Sequence, residues 1–173
     1  MRPQRIEPGP GQESVWDFPR PPRVEPVDRL LRVEVIRPDG TPVALASTER
    51  GHRVLETSQA PAYYFPPDDV DGSLLRPSAS ATHCEWKGVA RYLDLVLEDA
   101  EGVRRVHDVA WTYPTPTERF REIAGHVAFY ASRVDVCRVG EHVVTPNDGD
   151  FYGGWITPDV VGPFKGGPGS RGW

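Results

Sequence analysis

Val89-Ala90-Arg91-Tyr92-Leu93-Asp94-Leu95-Val96-Leu97, followed by Glu98-Asp99-Ala100-Glu101-Gly102 and then Val103-Arg104-Arg105-Val106-His107-Asp108-Val109-Ala110-Trp111, is the stretch whose reading decides the fold. Two strand-length runs flank a short polar segment that closes on glycine, the pattern of an antiparallel hairpin. Upstream, Leu31, Val33 and Val35 alternate with Arg32 and Glu34, the period of a half-buried strand. That run stops at Pro38-Asp39-Gly40-Thr41, where proline presets φ, aspartate caps and glycine accepts positive φ; Val43-Ala44-Leu45-Ala46 returns. Downstream, Val134 to Val139 faces His142 to Thr145 across Gly140-Glu141. Shorter strands are expected at His52 to Glu56 and at Ala62 to Phe65, the latter ended by Pro66-Pro67.

One short helix is expected after Thr115-Pro116-Thr117-Glu118, with Thr115 as N-cap, Pro116 at the first helical position and Glu118 closing a capping box. Phe120, Ile123 and Ala124 would share a face, and Gly125 would terminate it. Three hairpins and one short helix predict a mainly β domain, bordering on α+β. Its antiparallel hairpins would form a small barrel or a folded-over sheet.

Composition bounds the rest. A chain of 173 residues, 38% hydrophobic and 26% charged, is long enough for one hydrophobic core. Net charge is −5 with both signs interspersed, so no basic footprint for nucleic acid is visible. No apolar run approaches the roughly 20 residues of a membrane span, and the N-terminus lacks the apolar stretch of a secretory signal. Two cysteines, Cys84 and Cys137, are too few for a disulfide framework, which leaves a reduced cytoplasmic protein as the expectation.

Residues 1–26 read as an extended, proline-rich arm, whose Val15-Trp16-Asp17-Phe18 should pack on the domain. Residues 27–147 form the β-rich core domain. Residues 148–173 form an irregular tail rich in glycine and aromatics, an ordered strap to about Phe164 followed by a mobile end.

The densest chemistry lies in Thr82-His83-Cys84-Glu85-Trp86-Lys87-Gly88. In a regular strand Cys84 and Lys87 would point to opposite faces, so they could share a pocket only through a bulge or turn, which Gly88 could supply. Lys87 beside the thiol would favour the thiolate; the plainer reading is a buried cysteine and a solvated lysine. His83, His107 and His126 are the candidate bases for a Cys-His pair, with Asp108 or Glu118 to orient them. No Cys-x-x-Cys or His-x-x-x-His spacing marks a metal site. Gly166-Gly167-Pro168-Gly169 lacks the strand and helix of a phosphate loop. Large aromatics, among them Trp16, Tyr64 and Tyr113, are scattered along the chain, and core packing accounts for most. Some could line a pocket with a few polar groups, drawn from Arg53, Glu56, Lys87 and Asp108.

Several pieces, in order, resemble a family known as domain of unknown function 427. They are Ser14 to Pro22, Val54-Leu55-Glu56-Thr57, Tyr63-Tyr64-Phe65-Pro66-Pro67, Thr82 to Gly88, Ala110-Trp111-Thr112-Tyr113-Pro114, Val127-Ala128-Phe129-Tyr130 and Phe151 to Pro158. The resemblance runs from about residue 14 to 167. It implies a compact, mostly β, single domain of bacteria and fungi. Where the family usually has proline after the thiol, this chain has Glu85, whose carboxylate disfavours a thiolate at Cys84. The family is sometimes labelled nucleotidyltransferase-like, a role for which the residues singled out above offer no metal or nucleotide site.

The leading functional expectation is a small-molecule site near Cys84, Trp86 and Lys87, walled by Glu56, Tyr63, Trp111 and Trp155 and supplemented by Arg53 and Asp108. Lys87 would act electrostatically or in proton transfer, Glu56 as acid or base, and Cys84 as a further catalytic candidate. No cofactor is specified. Two other classes fit the sequence: an interaction or dimerisation module using arm and tail, as monomer or homodimer, and a metal-dependent transferase or hydrolase.

Overall fold

The computed structural model describes residues 2–173. In chain order the strands are β1 (Glu13–Ser14), β2 (Arg23–Pro26), β3 (Leu31–Ile36), β4 (Pro42–Thr48), β5 (His52–Leu55), β6 (Ala62–Tyr64), β7 (Leu75–Cys84) and β8 (Gly88–Asp99). They continue with β9 (Gly102–Thr112), β10 (Val127–Phe129), β11 (Val136–Val139), β12 (His142–Val143), β13 (Thr145–Pro146), β14 (Trp155–Ile156) and β15 (Val160–Val161). Helical segments among the described residues are short 3-10 turns, none long and apolar enough to cross a membrane.

The three expected hairpins form: β3 with β4, β8 with β9, and β11 with β12, each antiparallel. They assemble as two four-stranded sheets, ordered β10-β9-β8-β7 and β12-β11-β3-β4, with a three-stranded sheet β2-β5-β6 and two small pairs. The domain is therefore mainly β and antiparallel, with β1 and β15 paired in parallel, and its sheets stay separate rather than closing into a barrel.

Alternation along the strands explains what lies between the sheets. Leu31, Val33 and Val35 of β3 face Leu95 and Leu97 of β8, and this main core also takes in Tyr63, Phe65, Phe129 and Trp155. The opposite face of β8, β9 and β10 is covered as well. Ala90, Tyr92, Trp111, Ala128 and Tyr130 pack there with Tyr64, Tyr113, Phe120 and Ile123. Because side chains alternate across a strand, neighbours part company: Tyr63 enters the core and Tyr64 the second cluster, as do Phe129 and Tyr130.

Three local readings need correction. The helix expected at Thr115–Gly125 is a pair of 3-10 turns, Glu118–Ile123, broken at Phe120 (φ −110°). Thr117, not Thr115, sits at the N-cap, and its hydroxyl donates to the Trp86 carbonyl at 2.7 Å instead of capping. Six residues are too few to sustain an α-helix, and burying Phe120 and Ile123 completely outweighs regularity. The second correction is β7, ten residues that the sequence did not announce. It is an edge strand with mostly exposed side chains, so no apolar alternation marks it, and Pro77 with an irregularity before Ala81 interrupts its pairing. Third, the chain beyond Phe164 does not hang free: Ser170 is buried and the Trp173 ring lies 5.9 Å from Trp16. Val15, Trp16 and Phe18 of the arm are buried beside Leu55 and Val160 in the same cluster.

Candidate functional site

Cys84 ends β7 and pairs with Gly88, which opens β8; Glu85-Trp86-Lys87 is the turn between them. Gly88 adopts φ +101°, a conformation that favours glycine and lets the chain reverse here. The turn, rather than a continuous strand, brings Cys84 and Lys87 to the same cavity. Residues 115–117 hold the tip from behind: besides the Thr117 hydroxyl on Trp86, the Thr117 amide donates to the Lys87 carbonyl at 3.2 Å.

The cavity has a volume of about 280 Å³, at the small end of the range of ligand pockets. Its floor is the second face of the β8-β9-β10 sheet. Trp111 packs against Tyr130 at 4.7 Å between ring centroids and edge-on to Tyr64 at 6.3 Å, and its indole N–H donates to the Tyr64 hydroxyl at 3.2 Å. Thr82 and Tyr92 share a hydroxyl–hydroxyl hydrogen bond of 2.9 Å at one rim. The far wall comes from the tail, where Phe151, Tyr152, Gly153 and Gly154 cross over Trp111. Gly153 is required there, because a Cβ would stand 2.3 Å from the Trp111 ring.

Charge enters from three directions. The Lys87 ammonium lies over the rings of Tyr113 and Phe120, at 5.6 and 5.8 Å from their centroids. Ion pairs among the described residues run from Arg5–Asp17 to Arg121–Glu118 and leave Lys87 out. Glu56 faces the cavity with its side chain 15% exposed and is held by Arg20 at 3.5 Å. Lys165, at the tail wall, donates to the Trp173 carbonyl at 3.2 Å and lies 5.5 Å from the Tyr152 ring.

Burial pushes the Tyr64, Tyr113 and Tyr130 hydroxyls above the ordinary phenol range. The Trp111 indole bond opposes burial at Tyr64; neighbouring hydroxyls act with burial at all three, joined by the Cys84 thiol at Tyr64 and Tyr113, since ionising one group beside the others is unfavourable. The phenols are therefore neutral donors near neutral pH.

Of the residues expected from sequence, Glu56, Cys84, Trp86, Lys87 and Trp111 line this cavity. Four do not. Tyr63 and Trp155 stack on each other at 5.3 Å inside the main core. Arg53 is engaged by Glu13 and, at 2.6 Å, by Glu25, beside a separate surface cavity. Asp108 sits on an irregularity of β9 at φ +48°; its carboxylate and that of Asp94 meet the two ring nitrogens of His107 at 3.2 and 2.9 Å. That triad brings its ligand-type atoms within 4.8 Å of one another, away from the cavity lining. Among the candidate bases, His83 lines the cavity, whereas His107 belongs to the triad and His126 packs edge-on to His52 at 5.5 Å.

Tyr92, Tyr130 and Tyr152 were not singled out from sequence, and Tyr64 and Tyr113 only as aromatics. The signal that could have found Tyr64 is parity: in β6 it points opposite to Tyr63, toward the face that Trp111 also occupies.

A family profile described as a domain of unknown function (DUF427) matches residues 23–140, more than half of the chain. The match takes in the hairpin tip and the cavity floor but not the tail wall. No curated protein matches the chain.

Proposed function

The chain belongs to the DUF427 family, and from that premise we propose that it binds a small organic molecule in the cavity at the β7-β8 tip, with Lys87 as the principal charged contact. The observation that carries this reading is an ammonium with no carboxylate partner among the described residues, set over aromatic rings in a concave site that mixes aromatic and polar walls. A point charge partly shielded from water attracts a ligand group more strongly than one in bulk solvent. Glu56, kept in place by Arg20, is the group positioned to take a proton from a bound ligand should the site turn it over. Cys84 is the neighbouring thiol, beside Tyr113. The interaction-module reading draws less support, because the arm and tail that it requires are packed against each other through Trp16, Val160 and Trp173.

A thermal-shift screen of metabolites, nucleotides and metal ions tests the proposal, run on the wild type beside Lys87→Met. Selective binding to the native state raises stability by about 2.7 kcal/mol at one hundred times Kd. The expected result is a compound that raises the wild-type midpoint and leaves that of the variant unmoved. Equal shifts in both proteins would refute the role given to Lys87.

A further inference from the structure

We propose that the ligand of this cavity is a small organic anion, a carboxylate carried on a flat unsaturated body, with the carboxylate at Lys87 and the body against Trp111. The inference rests on the pocket reading above and concerns which chemistry the walls select.

The cavity holds donors that no neighbouring side chain takes up. Lys87 offers three N–H groups and accepts nothing. Tyr64 already accepts from the Trp111 indole, so its own proton is left for another acceptor. Tyr64, Tyr92, Tyr113 and Tyr130 all line the cavity, and the Tyr92 hydroxyl shares a hydrogen bond of 2.9 Å with Thr82. The lining carboxylates do not offset this. Glu56 is paired with Arg20 at 3.5 Å, and Glu85, although it borders the cavity, is exposed to solvent, where its charge is screened. A ligand entering such a site satisfies it by bringing acceptors and negative charge, since buried donors left unmatched are costly.

The apolar part of the lining sets the rest of the molecule. Trp111 and Trp86 border the space, Gly153 crosses one edge of the Trp111 ring, and there is room for a compact body only. Aromatic faces of this kind receive flat rings by offset or edge contact. A carboxylate serves two donors at once, which suits Lys87 together with a phenol, whereas a cationic ligand would meet Lys87 as a like charge.

Benzoate, benzamide and benzylamine separate these cases, being near in shape and different in charge. Binding is followed by the indole N–H resonances in nitrogen-edited NMR, with Trp111 assigned through Trp111→Phe. Benzoate should shift the Trp111 signal saturably, at least tenfold more tightly than benzamide, with benzylamine weakest. Lys87→Gln should reduce benzoate to the level of benzamide, and Lys87→Arg should restore most of the difference; near-UV circular dichroism verifies that each variant keeps its packing. Benzamide or benzylamine binding as well as benzoate at Trp111 would overturn the anion assignment while leaving the cavity as a binding site. Failure of benzoate while another compound of the thermal-shift screen binds through Lys87 would likewise overturn this assignment alone. Failure of benzoate with no compound binding at all would overturn both.

Discussion

At the residue scale, the site depends on side chains that are absent as much as on those present. Gly153 lets the tail backbone lie on Trp111, and a Cβ would also come within 3.2 Å of Tyr130. Gly153→Ala should therefore cost about 1–3 kcal/mol, the usual penalty of overpacking, and weaken ligand binding; urea unfolding followed by tryptophan fluorescence measures the first. His126 gives a pH prediction. Burial holds its imidazole below the ordinary 6.5; the bond to the Ala124 carbonyl opposes this, and the nearby His52 and Arg50 add smaller effects in the direction of burial. The unfolded chain thus binds a proton before the folded one does. This contribution to stability is complete above about pH 6.5 and is lost as pH falls from there toward the folded value. His126→Gln should flatten that part of the unfolding midpoint between pH 7 and 5, and an unchanged slope would refute the assignment.

At the scale of elements, the hairpin tip is held by a segment distant in sequence. The Thr117 hydroxyl on the Trp86 carbonyl and the Thr117 amide on the Lys87 carbonyl tie the turn to the 3-10 segment. Thr117→Val keeps the shape and removes one of the two. The expected loss is small in global stability, about 0.5–1.5 kcal/mol, and is paired with faster amide exchange at Trp86 and Lys87 while β9 amides remain protected. Uniform acceleration across β8 and β9 would mean that the tip has no separate anchoring. The same scale explains why some elements were legible. β3, β4, β8 and β9 have apolar or glycine-punctuated patterns that local physics reads directly. β7, with Ser78, Ala79, Ser80 and Ala81 exposed or half-exposed, leaves no such trace, because an edge strand is paid for by its neighbour's hydrogen bonds rather than by its own side chains.

At the scale of the whole molecule, the tail closes both the core and the cavity. Trp155 is fully buried, stacks on Tyr63 and donates its indole N–H to the Phe129 carbonyl at 2.9 Å, while Gly153 and Gly154, just before it, line the cavity. Trp155→Ala should destabilise the fold by about 3–5 kcal/mol and should disturb the cavity although Trp155 does not line it. Loss of ligand response in a variant whose unfolding midpoint stays at the wild-type value would contradict that coupling.

Hairpins, turns and the exclusion of a membrane-spanning helix follow from patterns of period two, from Pro-Asp-Gly and Gly-Glu turns and from the lack of a long apolar run, all of them local and readable along the chain. So does the concentration of chemistry at Cys84 to Lys87. Which aromatic faces the cavity was decided only in three dimensions. Tyr63 and Tyr64 are alike in composition and adjacent in sequence, yet the pairing of β6 with β5 turns one into the core and the other toward Trp111. The roles of Arg53 and Asp108 were likewise settled by partners elsewhere along the chain, because such contacts depend on distance in space, to which sequence separation is no guide: Arg53 pairs with Glu13, and the Asp108 backbone N–H donates to the Asp94 carboxylate at 2.8 Å.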